Sequence, residues 1–134
     1  MATSRHEGNG RAIIFRYIQD FVNGFNKQSQ PIRIIVAWSY DSETRMPATE
    51  ERQRMDAMED ALALTVEKDG FASLVLVSTG EGLREWTYYA RSEDEFMSRL
   101  NLGLANHPRF PIDIHISADP KWAMYDEFRR NVVE

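Results

Sequence analysis

The stretch Phe71–Ala90, FASLVLVSTGEGLREWTYYA, constrains the fold more than any other. Its first arm is almost wholly apolar, and its second alternates and is rich in aromatic rings. Between them, Thr79-Gly80-Glu81-Gly82-Leu83 supplies glycines, which open backbone conformations closed to other residues. The pattern predicts a β-hairpin. An arm that is apolar on both faces belongs inside a sheet. The second arm carries Trp86 and Tyr88 on one face and Thr87 and Tyr89 on the other, so it needs cover on both sides.

The rest of the chain can be placed against this hairpin. Ile32–Tyr40 is apolar on both faces over its middle and reads as another interior strand. Asp41–Pro47 is a loop. Ala48–Lys68 follows at helical period, with Met55, Met58, Leu62 and Val66 on one face. Thr49 is its expected N-cap, Glu50 and Glu51 suit the positive end of the helix dipole, and Asp69-Gly70 is the stop. Ser92-Glu93-Asp94-Glu95 is a capping box that opens a helix carrying Phe96, Met97, Leu100 and Leu104, ended by Asn106-His107-Pro108. From Pro111 to Ser117, Ile112, Ile114 and Ile116 alternate with Asp113, His115 and Ser117, the pattern of a half-buried strand. Asp119-Pro120 reads as a cap followed by proline at the first helical position, and Trp122, Tyr125 and Phe128 recur along a closing helix.

Residues 1–10 read as a flexible lead-in. Ile13, Ile14, Tyr17, Ile18, Phe21, Val22 and Phe25 recur at three- and four-residue steps, which predicts an amphipathic helix over residues 12–26. A strand pair across Asn23-Gly24 is the competing reading. From Ile32 onward the order is β-α-β-β-α-β. The expected fold class is therefore α+β: a ferredoxin-like antiparallel sheet with an extra N-terminal element and a short C-terminal helix, one domain over residues 11–134. Two helices cover one face of such a sheet. Its aromatic second face would be a larger apolar patch than monomers expose, so the N-terminal element, the C-terminal helix or a second copy must cover it.

The chain has 134 residues and a formal net charge of −5, from 16 basic and 21 acidic side chains. That balance disfavours polyanionic partners. The absence of cysteine excludes disulfides, thiolate metal sites and a cysteine nucleophile, and fits a reducing compartment. No apolar run approaches the roughly 20 residues of a membrane span, and the first ten residues lack a signal-peptide core. The expectation is a cytoplasmic protein of bacterial type, without a membrane anchor.

Chemistry is sparse. His6, His107 and His115 stand at no ligand spacing, so neither a metal nor a cofactor is expected. No Gly-x-Ser-x-Gly elbow is present, and the Gly80–Gly82 turn leads into a strand, where a phosphate cradle needs a helix start. Glu59-Asp60 and Glu85 beside Arg84 are candidate acid/base pairs, although adjacent acids on a helix are more often a solvated flank. The aromatics of Glu85-Trp86-Thr87-Tyr88-Tyr89 invite comparison with sheets that stack single-stranded RNA, but the accompanying basic residues are missing, and packing is the simpler use of these rings.

Three segments taken together resemble one family. They are Met46-Pro-Ala-Thr-Glu-Glu-Arg52 running on to Met58-Glu-Asp-Ala-Leu62, then Thr79-Gly-Glu-Gly-Leu-Arg-Glu-Trp-Thr-Tyr-Tyr89, then Asp119-Pro-Lys-Trp-Ala-Met-Tyr125. This is similar to family 695 of the domains of unknown function, over residues 31–128. The resemblance implies a ferredoxin-like fold, distantly like the bacterial regulator of ribonuclease E activity, protein B. It also implies a small acidic protein that binds and restrains another protein. The matching positions are Glu51, Glu59, Asp60, Gly82, Arg84, Glu85, Trp86, Asp119, Pro120, Trp122 and Tyr125. Asp119 is expected to cap the closing helix, Pro120 to start it, and Trp122 and Tyr125 to pin it to the sheet, with Arg84 pairing with Glu59 or Asp60 where helix meets sheet. The leading functional expectation is a non-catalytic protein-binding or regulatory module, with a homodimer as one form of partnership. The alternatives are a small enzyme with a site at Glu59, Asp60, Arg84 and Glu85, or binding of single-stranded RNA through sheet aromatics.

Overall fold

The computed structural model describes residues 2–8, 11–18, 21, 25–41 and 46–131. Within them, Ala2–Gly8 (β1), Arg11–Tyr17 (β2), Ile32–Ser39 (β3), Ala72–Gly80 (β4), Leu83–Ala90 (β5) and Ile112–Ala118 (β6) form one sheet in the order β1-β2-β4-β5-β3-β6. Every pairing is antiparallel. Thr49–Ala63 (α1), Glu93–Leu104 (α2) and Ala123–Asn131 (α3) complete an α+β architecture, and from β3 onward the elements follow in the order β-α-β-β-α-β.

The β4–β5 hairpin forms as its sequence predicts. Its turn is Glu81-Gly82, with φ of 55° and 81°, the doubly left-handed geometry that matches the twist of the two strands. A Cβ on Gly82 would also lie 3.0 Å from the Tyr40 carbonyl oxygen. The Tyr40 N–H donates to the Gly82 carbonyl at 2.8 Å, so the turn is clipped to the end of β3. β3 itself lies between β5 and β6, as its two apolar faces require.

The sheet separates two cores. On one face, Ile34, Val36, Trp38, Leu74, Val77, Trp86 and Tyr88 pack against Met55, Met58, Leu62 and Val66 from the α1 segment and Phe96 and Leu100 of α2. On the other, Tyr17, Val75, Leu76 and Tyr89 meet Trp122 and Tyr125, with Phe15, Phe21, Phe25 and Phe128 packed against them. A register shift between Leu74 and Leu76 allows Val75 and Leu76 both to join the second core although they are adjacent. Tyr89 and Trp122 stack with ring centroids 4.2 Å apart. Among the described residues, cover for the second face therefore comes from α3 with Ile18, Phe21 and Phe25.

Several expectations need correction. Residues 12–17 are strand, not helix: β2 pairs with β1 and then with β4. Its apolar side chains serve both faces of the sheet, which produces three- and four-residue spacing without a helix. The strand pair forms between residues 2–8 and 11–17, while Asn23-Gly24 lies outside the described residues. The expected lead-in supplies β1, whose polar sequence Ala-Thr-Ser-Arg-His-Glu-Gly shows no apolar alternation.

The helix boundaries also move. Ala48, without a side-chain cap bond, is the N-cap of α1 in place of Thr49, and α1 ends at Ala63. Asp69 and Gly70 do sit at positive φ, in a short 3-10 turn that leads into β4. Ser92 caps α2 as expected, its hydroxyl accepting from the Glu95 N–H at 3.1 Å. Pro120 does not open α3. Trp122 takes φ of 55°, and the helix begins only at Ala123.

Candidate functional site

α1 presents Arg52, Asp56 and Asp60 at steps of four, with Glu59 three residues after Asp56, as a stripe along one flank. This stripe faces β2, β4 and β5, and the gap between them is an open hollow of about 460 Å³ lined by Arg16, Arg52, Asp56, Glu59, Asp60 and Arg84. It adjoins a second hollow of about 240 Å³, where Ile14, Met46, Pro47 and Val77 give an apolar wall beside the same three arginines. The result is a cleft with a charged mouth and an apolar side.

Glu59 is the pivot of the cleft. Arg16 reaches it from β2 with both terminal nitrogens, at 2.5 and 3.3 Å, and Trp86 donates its indole N–H from β5 at 2.9 Å. The forked Arg–carboxylate pair fixes orientation as well as charge. Glu59 thus ties α1 to two strands that are not neighbours in sequence. Arg84 is buried beside it. Its Nε donates to Thr79 across the hairpin at 2.9 Å, and its Nη1 donates to Asp56 at 3.4 Å. Burial lowers the proton affinity of this guanidinium, Asp56 opposes that, and Arg16 adds to it. The expected partner of Arg84, Glu59 or Asp60, is therefore replaced by Asp56. Glu59 is already taken by Arg16, and Asp60 lies one turn further along the helix, exposed.

Glu85 does not belong to the cleft. Successive strand residues alternate, so with Arg84 and Trp86 on the α1 face, Glu85 points to the other. Trp86 and Tyr88 are fully buried in the first core, so they offer no platform for stacked bases. Arg16, Arg52 and Asp56 escaped sequence reasoning. The four-residue step from Arg52 to Asp56 is a signal that could have found two of them, whereas Arg16 lies in the segment read as helix.

A second polar cluster anchors α3. Asp119 accepts from the Tyr89 hydroxyl at 2.6 Å and from the N–H groups of Ala123 and Met124 at 2.8 and 3.2 Å, with Arg33 3.7 Å away. Burial alone would raise the Asp119 carboxyl. The bonds from Tyr89, Ala123 and Met124, with the charge of Arg33, outweigh it and hold the carboxyl below its ordinary range. Burial and the same carboxylate push the Tyr89 phenol up. Trp122 donates its indole N–H to the Gln30 carbonyl at 2.9 Å. The buried Gln30 side chain in turn donates to the Gly70 carbonyl and accepts from Ser73. Tyr125 donates its hydroxyl to the Ile18 carbonyl. Asp119 thus caps α3, Trp122 and Tyr125 hold it by their bonds to Gln30 and Ile18, and the bond from Tyr89 to Asp119 is an addition that the sequence does not predict.

Other candidate groups lie apart. Glu67, whose carboxyl burial raises, accepts from the Leu74 N–H at 3.1 Å and is not among the residues lining either hollow. His115 is exposed on β6, and His107 lies beside the Phe110 ring. Among the described residues no three His, Asp or Glu side chains are grouped to hold a metal ion, and no helix is long and apolar enough to cross a membrane.

Comparison with curated proteins and with solved structures gives no match. One family model, described as a family of unknown function (DUF695), matches residues 5–129, nearly the whole chain, and the chain belongs to that family.

Proposed function

We propose that this protein is a non-catalytic binding module that docks a segment of another protein in the cleft beside α1. The observation that carries the reading is the division of labour among the charges there. Glu59 is committed to Arg16 and Trp86, and Arg84 to Thr79 and Asp56, so they shape the cleft. Arg52 and Asp60 are exposed at its mouth and are the charges available to a partner. An apolar wall flanked by unspent charges of both signs suits a peptide segment, with the apolar contact giving affinity and the charges giving register. The same geometry weakens the enzyme reading, since the most enclosed carboxylate is held as a structural anchor by two donors.

The ferredoxin-like reading of the core, and through it a kinship to regulator of ribonuclease E activity protein B, is supported by the antiparallel strand order β4-β5-β3-β6 beside α1 and α2. The cysteine-free composition supports placing the protein in a reducing cytoplasm.

The test is site-specific photocrosslinking in cells. A crosslinking residue at Pro47, on the apolar wall of the cleft, is expected to give a discrete adduct with one partner, and one at Lys121, on the opposite face, to give none. Reversing both mouth charges (R52E with D60K) should reduce the adduct about tenfold or more while changing stability by only about 0.5 kcal/mol. Equal labelling from both positions, or an adduct indifferent to the reversal, would rule the cleft out as the docking site.

A further inference from the structure

β6 is an outer strand of the sheet. All seven of its residues, Ile112–Ala118, run alongside β3 in unbroken register, and its other edge pairs with nothing among the described residues. Edge strands of monomers are commonly guarded by a lysine, a proline, a bulge or a covering loop. No lysine, proline or bulge stands within β6.

The residues on this edge are complementary to themselves. Place a second copy antiparallel, with a two-fold axis at Ile114. Ile114 then faces the partner copy's Ile114, and Ile112 faces Ile116. These three are the half-buried side chains that already border the first core, so the apolar strip continues across the junction. On the opposite face, Asp113 falls directly across from His115, twice. Both are exposed, and opposite-charge or hydrogen-bonding partners at directly facing positions favour a strand pair. Shifting the register by one residue would move the isoleucines of one copy to the polar face of the other, so the alternation selects this alignment and its even-numbered shifts. Among those, the pairing about Ile114 matches both Asp–His contacts.

We infer that two copies of this chain join through their β6 edges, antiparallel about Ile114, into one continuous sheet. The occupant is a second copy because the match of Asp113 to His115 and of Ile112 to Ile116 requires only this sequence. The interface lies on a different edge from the cleft beside α1, so either can fail without the other.

The absence of cysteine makes the experiment direct. Ile114→Cys puts one thiol on the two-fold axis, where directly paired Cα atoms stand about 4.5–5.5 Å apart, within disulfide reach. With a mild thiol oxidant it should become a covalent dimer. Ser117→Cys, which faces residue 111 of the other copy, should crosslink at least about tenfold more slowly, being displaced along the strand. In sedimentation, the unmodified protein is expected to be dimeric. His115→Asp sets like charges across the junction and should make it monomeric, and adding Asp113→Lys should restore the dimer. Circular dichroism checks that each variant is folded. A protein that stays monomeric up to about 0.5 mM, or a dimer that ignores His115→Asp, or equal crosslinking at residues 114 and 117, would overturn the inference.

Discussion

Asp119 shows how much a single side chain can settle. Its carboxylate caps α3, receives the buried Tyr89 hydroxyl and sits near Arg33, so it joins helix to sheet. Its capping role is readable locally, from Asp-Pro ahead of a periodic aromatic run. Its bond to Tyr89 is not, because that contact spans thirty residues. Replacing Asp119 by Ala should cost about 2–3 kcal/mol in urea unfolding, from a lost cap and a buried hydroxyl left unpaired. The pH dependence follows from the lowered carboxyl. Its stabilisation is complete above the ordinary value of 3.8 and is lost as pH falls through the still lower value in the folded protein. Glu67, raised by burial, acts in the opposite sense, so the clean comparison is between proteins. Between pH 6 and pH 3 the parent should lose more stability than Asp119→Asn. An equal loss in both would mean that the Asp119 bonds contribute nothing at neutral pH.

Elements whose pattern is local were readable: β3 from its apolar middle, the β4–β5 hairpin from its turn glycines, β6 from strict alternation, and α2 from Ser92. The failure at β2 has a physical cause, since a strand with apolar residues on both faces imitates helical spacing. The crossing of α1 with α2 offers a sharper trial of element packing. A Cβ at Gly103 would sit 2.6 Å from Thr65 Oγ1 and 3.3 Å from the Ala61 carbonyl oxygen. In an exposed helix, Gly→Ala gains up to about 1 kcal/mol. Here Gly103→Ala should instead lose about 1–3 kcal/mol by overpacking. Thr65 Oγ1 is buried without a hydrogen-bond partner among the described residues, so Thr65→Ala should cost little. Combined with Gly103→Ala, it should recover at least half the loss in thermal unfolding. Strict additivity of the two changes would show that the helices do not meet there.

At the scale of the molecule, the sheet is graded from centre to edge. β5 has a full-length partner on each side, while among the described residues β1 pairs only with β2, and β2 meets β4 over four residue pairs. Hydrogen exchange should therefore be slowest in β5 and β3 and fastest in β1, and protection in β1 equal to that in β5 would contradict the grading. The cleft was half legible for the same reason of distance. Glu59, Asp60 and Arg84 stand out in their local segments, but Arg16 reaches Glu59 across 43 positions of sequence and only the topology brings them together. β5, finally, is read on both sides at once. Arg84, Trp86 and Tyr88 serve the layer of α1 and α2, and Thr87 and Tyr89 lie on the side that α3 covers in part. A single-residue insertion or deletion in this strand would exchange the two sets, driving a guanidinium toward one interior and tearing the indole from the other. The loops of this chain can thus change length without such an exchange, whereas the spacing from Arg84 to Tyr89 cannot change by one residue.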